Sequence, residues 1–167
     1  MNIVDYHIDE RLVHGEVSTS WIPYMDIDRV IVIDNYSAAN EMMKQIFRIS
    51  IQSNIYLSVL TEEKAISNLR NDKYGNQKLF LISNNFDIYL KLHEAGIPVT
   101  EISVGIYGHA HKEETMIRAS NKVNLSSKDV ATLKKLNAAG IRAYGRINAL
   151  IKDKTDLYEA AMQLSGN

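Results

Sequence analysis

The 167 residues have the length of one domain, and 46% hydrophobic content is enough to bury a sizeable core. The 19 basic and 20 acidic side chains leave a formal net charge of −1, which removes any electrostatic case for nucleic acid or an anionic membrane as partner. The absence of cysteine excludes disulfides and thiolate catalysis and fits a reducing compartment.

The chain opens on MNIVDYHIDE, with neither a basic leader nor a long apolar stretch, and no later run approaches the roughly 20 apolar residues that span a bilayer, so a cytoplasmic location is expected. NIVDYHI predicts a first strand, GEVSTSWIPYM a helix that Pro23 kinks or ends early, and RVIVID a second strand closed by Asp34. AANEMMKQIFRIS then places Met42, Met43, Ile46, Phe47 and Ile49 on one helical stripe, which reads as core. NIYLSVL follows as a strand and TEEKAISNLRND as a helix capped by Thr61. KLFLIS is a strand, NFDIYLKLHEAG a helix closed by Gly96, and TEISVGIY a strand with Gly105 near its end. NKVNL reads as a short strand, SSKDVATLKKLNAAG as a capped amphipathic helix, IRAYGRIN as a strand and DLYEAAMQL as a last helix.

About seven strands alternating with six helices predict an α/β fold. Residues 1–167 are expected to form a single domain, with a twisted, mostly parallel sheet covered by helices on both faces. Ligands bind such sheets beyond the carboxyl ends of the strands.

HIDERLVHGE, residues 7–16, carries more ionisable groups than a strand-to-helix connection needs. With the strand ending near Ile8 and the helix beginning at Gly15, His14 falls beside unpaired amides of partial positive charge. Together with Arg11 these amides suit a phosphoryl group, while Asp9 can accept from one ring nitrogen and select the tautomer, leaving the other nitrogen as a nucleophile. A plainer reading stays open, in which His14 is a solvated loop residue and Arg11 pairs with Asp9 or Glu10 at the surface.

HIDERLVHGEVSTSW is similar to the opening motif of the IIB components of the mannose/fructose/sorbose family of the bacterial sugar phosphotransferase system. DRVIVIDN, LSVLTEEKAI and LKKLNAAGIR resemble family segments in the same order and spacing. The resemblance implies a twisted, mostly parallel sheet with the active histidine in the first strand-to-helix loop. It implies a protein-N(π)-phosphohistidine–sugar phosphotransferase in which His14 takes a phosphoryl group from the IIA component and passes it to a sugar entering through the IIC and IID components. Asp9 and Arg11 would support it, and membrane association would come only through those partners. No metal, nucleotide or other cofactor is implied. The family usually has Arg in place of His7, Gln in place of Glu16 and a second Gly in place of Ile106. Two of these changes reduce positive charge near His14, which leaves a competing reading as a non-catalytic binding or regulatory module.

Several residues are expected at the rim of the same site: His7, which otherwise just ends its strand, with Glu16, Asp34, Ser83 and Gly105. Ser83, Asn84 and Asn85 end a strand, where one of them can also cap a helix. His109 and His111, followed by Glu113 and Glu114, have a spacing that could hold a metal, and the same loop reads equally as solvated or as a neighbour of His14. Asp34 without a glycine-rich loop after the first strand does not make a dinucleotide site. Trp21 serves either the core or a partner surface.

Overall fold

The computed structural model describes residues 1–110, 116–146, 148–150 and 154–165. One seven-stranded sheet organises it, built from β1 (Asn2–Ile8), β2 (Arg29–Ile33), β3 (Tyr56–Leu60), β4 (Lys78–Ser83), β5 (Glu101–Val104), β8 (Arg142–Gly145) and β9 (Thr155–Asp156). Their spatial order is β3-β2-β4-β1-β5-β8-β9, and every pairing is parallel except β8 with β9. A separate antiparallel pair, β6 (Ile117–Ser120) and β7 (Val123–Leu125), completes the strands.

The strand sequences explain the layering. In β2, Ile31 and Ile33 face one core while Val30 and Val32 face the other, and in β4 Leu79 and Leu81 alternate in the same way with Phe80 and Ile82. The first core is closed by α4 (Glu62–Arg70), α5 (Asp87–Glu94), α6 (Ser127–Ala138) and α7 (Leu157–Ser165), through residues such as Leu69, Tyr89, Leu133 and Ala161. The second is closed by Val17, Trp21 and Ile22 of the first helical segment and by Phe47. Helices therefore cover both faces, as parallel crossovers require. No described helix is long and apolar enough to cross a membrane.

β1 lies between β4 and β5, so the chain leaves it toward one half of the sheet and later returns to build the other. The ends of β1, β4 and β5 thus meet at the reversal point of the strand order, where open parallel sheets bind ligands.

Four local expectations change. NKVNL does form a strand, but Val123–Leu125 pairs with Ile117–Ser120 outside the main sheet. The seventh place in the sheet goes to Thr155–Asp156, two edge residues in a polar stretch without apolar periodicity. The helix expected over AANEMMKQIFRIS is two: α2 (Asn35–Ala38), capped by Asp34, and α3 (Glu41–Ser50), capped by Asn40. Of the stripe on α3, Phe47 is buried and Met43 half-buried, whereas Met42, Ile46 and Ile49 are exposed, Ile49 to 85%. These three recur at i, i+4 and i+7 on the side away from the sheet, where no further layer covers them.

Around Pro23 the helical segment does end early. The segment widens into a π turn over Val17–Trp21, closed by Ile22 N–H donating to Val17 O, continues as α1 (Ile22–Met25), and stops at Asp26 with φ 51°.

Candidate functional site

The loop after β1 is pinned to both neighbouring strands. Asp9 N–H donates to Ser83 O at 3.1 Å, Glu10 N–H to Ile106 O at 2.9 Å, and Gly105 N–H to Ile8 O at 2.8 Å. Leu12 takes a left-handed φ of 56°, a conformation branched residues avoid, and burial of Leu12 and Val13 in the second core holds the turn in place.

Asp9 is the hub of the loop. Its Oδ1 accepts from Arg11 N at 3.0 Å and Arg11 Nε at 3.1 Å, and its Oδ2 accepts from Arg11 Nη2 at 3.1 Å and Ile106 N at 3.2 Å. The side chain is buried. Burial alone would raise its pKa, but the contacts with His14 and Arg11 outweigh that cost and hold the carboxyl well below the usual carboxylate range.

His14 sits above this carboxylate, its side chain 15% exposed. Nε2 lies 3.0 Å from Asp9 Oδ2, off the line of a hydrogen bond and with no other hydrogen-bond partner among the described residues, while Nδ1 accepts from Glu16 N–H at 3.3 Å. A carboxylate facing Nε2 and an N–H facing Nδ1 assign the proton to Nε2 and the lone pair to Nδ1. Helical structure begins at Gly15, so the N–H offered to Nδ1 belongs to the first turn. Ser18 fixes the backbone behind the ring: its N–H donates to His14 O at 3.1 Å, and its hydroxyl contacts both His14 O and Ser50 O, tying the loop to the end of α3.

Among the expected rim residues, Glu16 and Gly105 reach the site. The Glu16 carboxylate lies 3.7 Å from Arg11 Nη2 and 4.0 Å from Lys122 Nζ. A β-carbon at Gly105 would stand 2.7 Å from Asp9 Oδ2 and 3.4 Å from His7 Nε2, so the residue is glycine for space, not for backbone freedom.

His7 lies beneath the site and not on its rim. It belongs to the buried face of β1, its ring 4.4 Å from that of Trp21 and 5.3 Å from that of Phe80, with Nδ1 3.6 Å from Asp5 Oδ2 and neither ring nitrogen hydrogen-bonded. Trp21 is accordingly a core residue. Ser83 is also buried and donates its hydroxyl to Ile33 O at 2.9 Å, leaving only its carbonyl for the loop. Asp34 Oδ2 is spent on Ser37 N at 2.8 Å and Ser37 Oγ at 2.6 Å, as the cap of α2. Of the adjoining asparagines, Asn85 Oδ1 accepts from Ile88 N–H at the start of α5.

His109 is exposed, with Nε2 3.1 Å from Lys122 O, and Glu10 holds this connection by accepting from His109 N at 2.9 Å and Ala110 N at 3.2 Å. His111, Glu113 and Glu114 lie outside the described residues. Among the described residues no group of three or more acidic, His or Cys side chains is placed to hold a metal ion.

Sequence reasoning missed three contributors. The Ile106 amide acts through its backbone, Lys122 comes from the turn between β6 and β7, and Arg146 stacks over Trp21 with its guanidinium carbon 5.1 Å from the ring centroid. Only Arg146 had a usable signal, as a cation at the carboxyl end of a strand.

With this geometry in hand, comparison with known proteins is specific. The family model described as "PTS system sorbose subfamily IIB component" matches residues 3–162. The chain is 31% identical over 134 residues to the mannose-specific EIIAB component of the PTS system of Escherichia coli K12, covering 80% of this chain and 41% of that protein. It thus spans about two fifths of the length of that relative. It is 29% identical over 136 residues to the sorbose-specific EIIB component of Lacticaseibacillus casei, covering 81% and 80% of the two chains. The crystal structure of the IIB domain of the sorbose permease from Klebsiella pneumoniae superposes with a TM-score of 0.87 over 98% of each chain at 20% identity, a likeness of fold.

Proposed function

This chain belongs to the sorbose subfamily of PTS system IIB components, and from that membership we propose that it is a phosphocarrier and transferase of sugar uptake with His14 as the covalent phosphoryl acceptor. The observation that carries the proposal is the division of labour on one ring: Nε2 faces Asp9 at 3.0 Å, and Nδ1 keeps a lone pair met by the Glu16 N–H at 3.3 Å.

In the first step the Nδ1 lone pair attacks the phosphorus of a phosphohistidine on the IIA component. The new N–P bond forms as the donor's N–P bond breaks, and its electron pair returns to the donor imidazole. Asp9 stabilises the positive ring that results, because its carboxylate remains ionised and faces the Nε2 proton. The Glu16 amide is then available to a phosphoryl oxygen, as is the edge of the Arg11 guanidinium not used by Asp9. In the second step a sugar hydroxyl oxygen, presented by the IIC and IID components, attacks phosphorus. The N–P electrons return to Nδ1, and the hydroxyl proton passes to solvent. A ring near the surface, and not at the foot of a cleft, suits transfer between two proteins.

The test is to incubate the chain with phosphorylated IIA and locate the label. Label on wild type that is absent from His14→Ala supports the proposal. An unlabelled wild type, or a labelled His14→Ala variant, overturns it, and binding of IIA without labelling would favour a regulatory module.

A further inference from the structure

A second feature lies behind Gly105. A cavity of about 170 Å³ opens there, lined by Lys122, Arg146 and Lys154 with the hydroxyl residues Ser120 and Thr155, and no acidic side chain lines it among the described residues. At the volume water takes in the liquid this is room for about six molecules, enough for a tetrahedral oxyanion with part of what it is attached to.

Its cations are not fully spent on protein partners. Lys154 is paired with Glu101 at 2.9 Å, but Lys122 meets Glu16 only at 4.0 Å, and that carboxylate is shared with Arg11. Arg146 gives Nη2 to Ala149 O at 3.3 Å, whereas its Nε is buried without a hydrogen-bond partner among the described residues. A buried guanidinium donor left unpaired costs free energy that an anion would offset. A larger cavity, about 420 Å³, contrasts with this one: among the described residues Glu10, Asp87 and Asp129 line it against the single cation Lys128, which disfavours anions.

The cavity also adjoins the phosphoryl acceptor. Gly105 is common to its wall and to the seat of Asp9, and Lys122 reaches Glu16, whose amide touches His14 Nδ1. We propose that this cavity is a subsite for a phosphate monoester, holding the phosphate of the newly formed sugar phosphate after it leaves His14. The proposal rests on the phosphotransfer reading for the origin of its ligand, but the pocket's affinity for phosphate does not depend on transfer. Binding is weak, on the order of millimolar, because the pocket is open and its cations are partly screened, and weak binding lets product depart.

The experiment is an NMR titration of the ¹⁵N-labelled chain with inorganic phosphate, mannose 6-phosphate and mannose, in wild type and in the Lys122→Gln, Arg146→Gln and His14→Ala variants. Both phosphates should produce saturable shifts at the amides of Ser120, Asn121, Lys122 and Gly145, with mannose 6-phosphate the tighter, and mannose should produce none. Lys122→Gln and Arg146→Gln should each weaken binding about tenfold, the loss of one charge-assisted contact, whereas His14→Ala should bind as wild type does. Lys122 is only half-buried, so its variant tests the pocket even if Arg146→Gln fails to fold. No saturation by roughly 50 mM, unchanged affinity in Lys122→Gln, or tighter binding of inorganic phosphate than of the monoester would overturn the proposal. A wild type that binds phosphate here but takes no label from IIA would overturn the transfer reading and leave the pocket standing.

Discussion

Gly105 and Asp9 occupy complementary volumes: the position a β-carbon would take on residue 105 is 2.7 Å from Asp9 Oδ2, well inside contact distance. The buried carboxylate has no room to retreat, because both its oxygens are held by Arg11 and one by the Ile106 amide. Gly105→Ala should therefore displace Asp9 rather than be absorbed, costing about 1–3 kcal/mol of stability as an overpacking change. Labelling at His14 should slow at the same time. Urea unfolding read alongside single-turnover transfer from phospho-IIA checks both, and a variant with normal stability and rate would show that the strand ends yield.

Asp9→Asn removes the charge but keeps the shape. An amide cannot accept from all of Arg11 and still face Nε2 as a carboxylate does, so on the order of 3 kcal/mol should be lost, as when one member of a buried ion pair is deleted. The pH dependence has a definite sign. The folded pKa lies below the ordinary 3.8, so Asp9's contribution is present above about pH 4 and is lost only as pH falls through the folded value in strong acid. The gap in unfolding free energy between wild type and Asp9→Asn should accordingly be flat from pH 5 to 8 and close below pH 4. A gap that closes near neutrality would assign the stabilisation to another group.

Much of this site was legible in the sequence because it is local. Asp9, Arg11 and His14 fall within six residues, and an Asx-type turn after a strand brings neighbours of this spacing together whatever the rest of the chain does. The core strands were legible for the same reason, since period-2 alternation in RVIVI and KLFLIS is written in consecutive residues. What was not legible depends on distant pairing. Nothing in NIVDYHI distinguishes a histidine at the strand's end from one turned under Trp21 and Phe80. Lys122 meets Glu16 only because the β6–β7 hairpin folds back over the loop. Thr155–Asp156 becomes a strand solely by pairing with Tyr144 and Gly145.

The stripe on α3 gives a clean test of burial against pattern. Phe47 is buried, whereas Met42, Ile46 and Ile49 point away from the sheet, although the sequence presents them all as one apolar set. Phe47→Ala should cost about 3–5 kcal/mol. Ile49→Ser and Met42→Ser should each change stability by less than about 0.5 kcal/mol. Denaturant midpoints at constant slope would show it, and a large loss for Ile49→Ser would mean that this face is covered in solution.

Alkaline behaviour follows from three phenols that the fold keeps neutral. Tyr89 is fully buried, its hydroxyl donating to His7 O at 2.5 Å, and burial lifts its pKa well above the ordinary 10.0. Tyr6 and Tyr107 are raised by burial too, Tyr107 with the added repulsion of Asp129, which accepts a hydrogen bond from its hydroxyl at 2.8 Å. In the unfolded chain all three ionise near pH 10. Because the folded values are higher, their stabilisation is complete below pH 10 and is lost progressively as pH rises above it, the unfolded state giving up protons the folded state retains. Absorbance at the tyrosinate band should thus show these three phenols ionising together in a cooperative step that coincides with unfolding. Tyr89→Phe should delay that step while losing some stability at pH 7 from the two carbonyls, His7 O and Leu81 O, left without their donor. Ionisation of Tyr6, Tyr89 and Tyr107 in one smooth wave near pH 10, before any loss of structure, would contradict the buried placement of these rings.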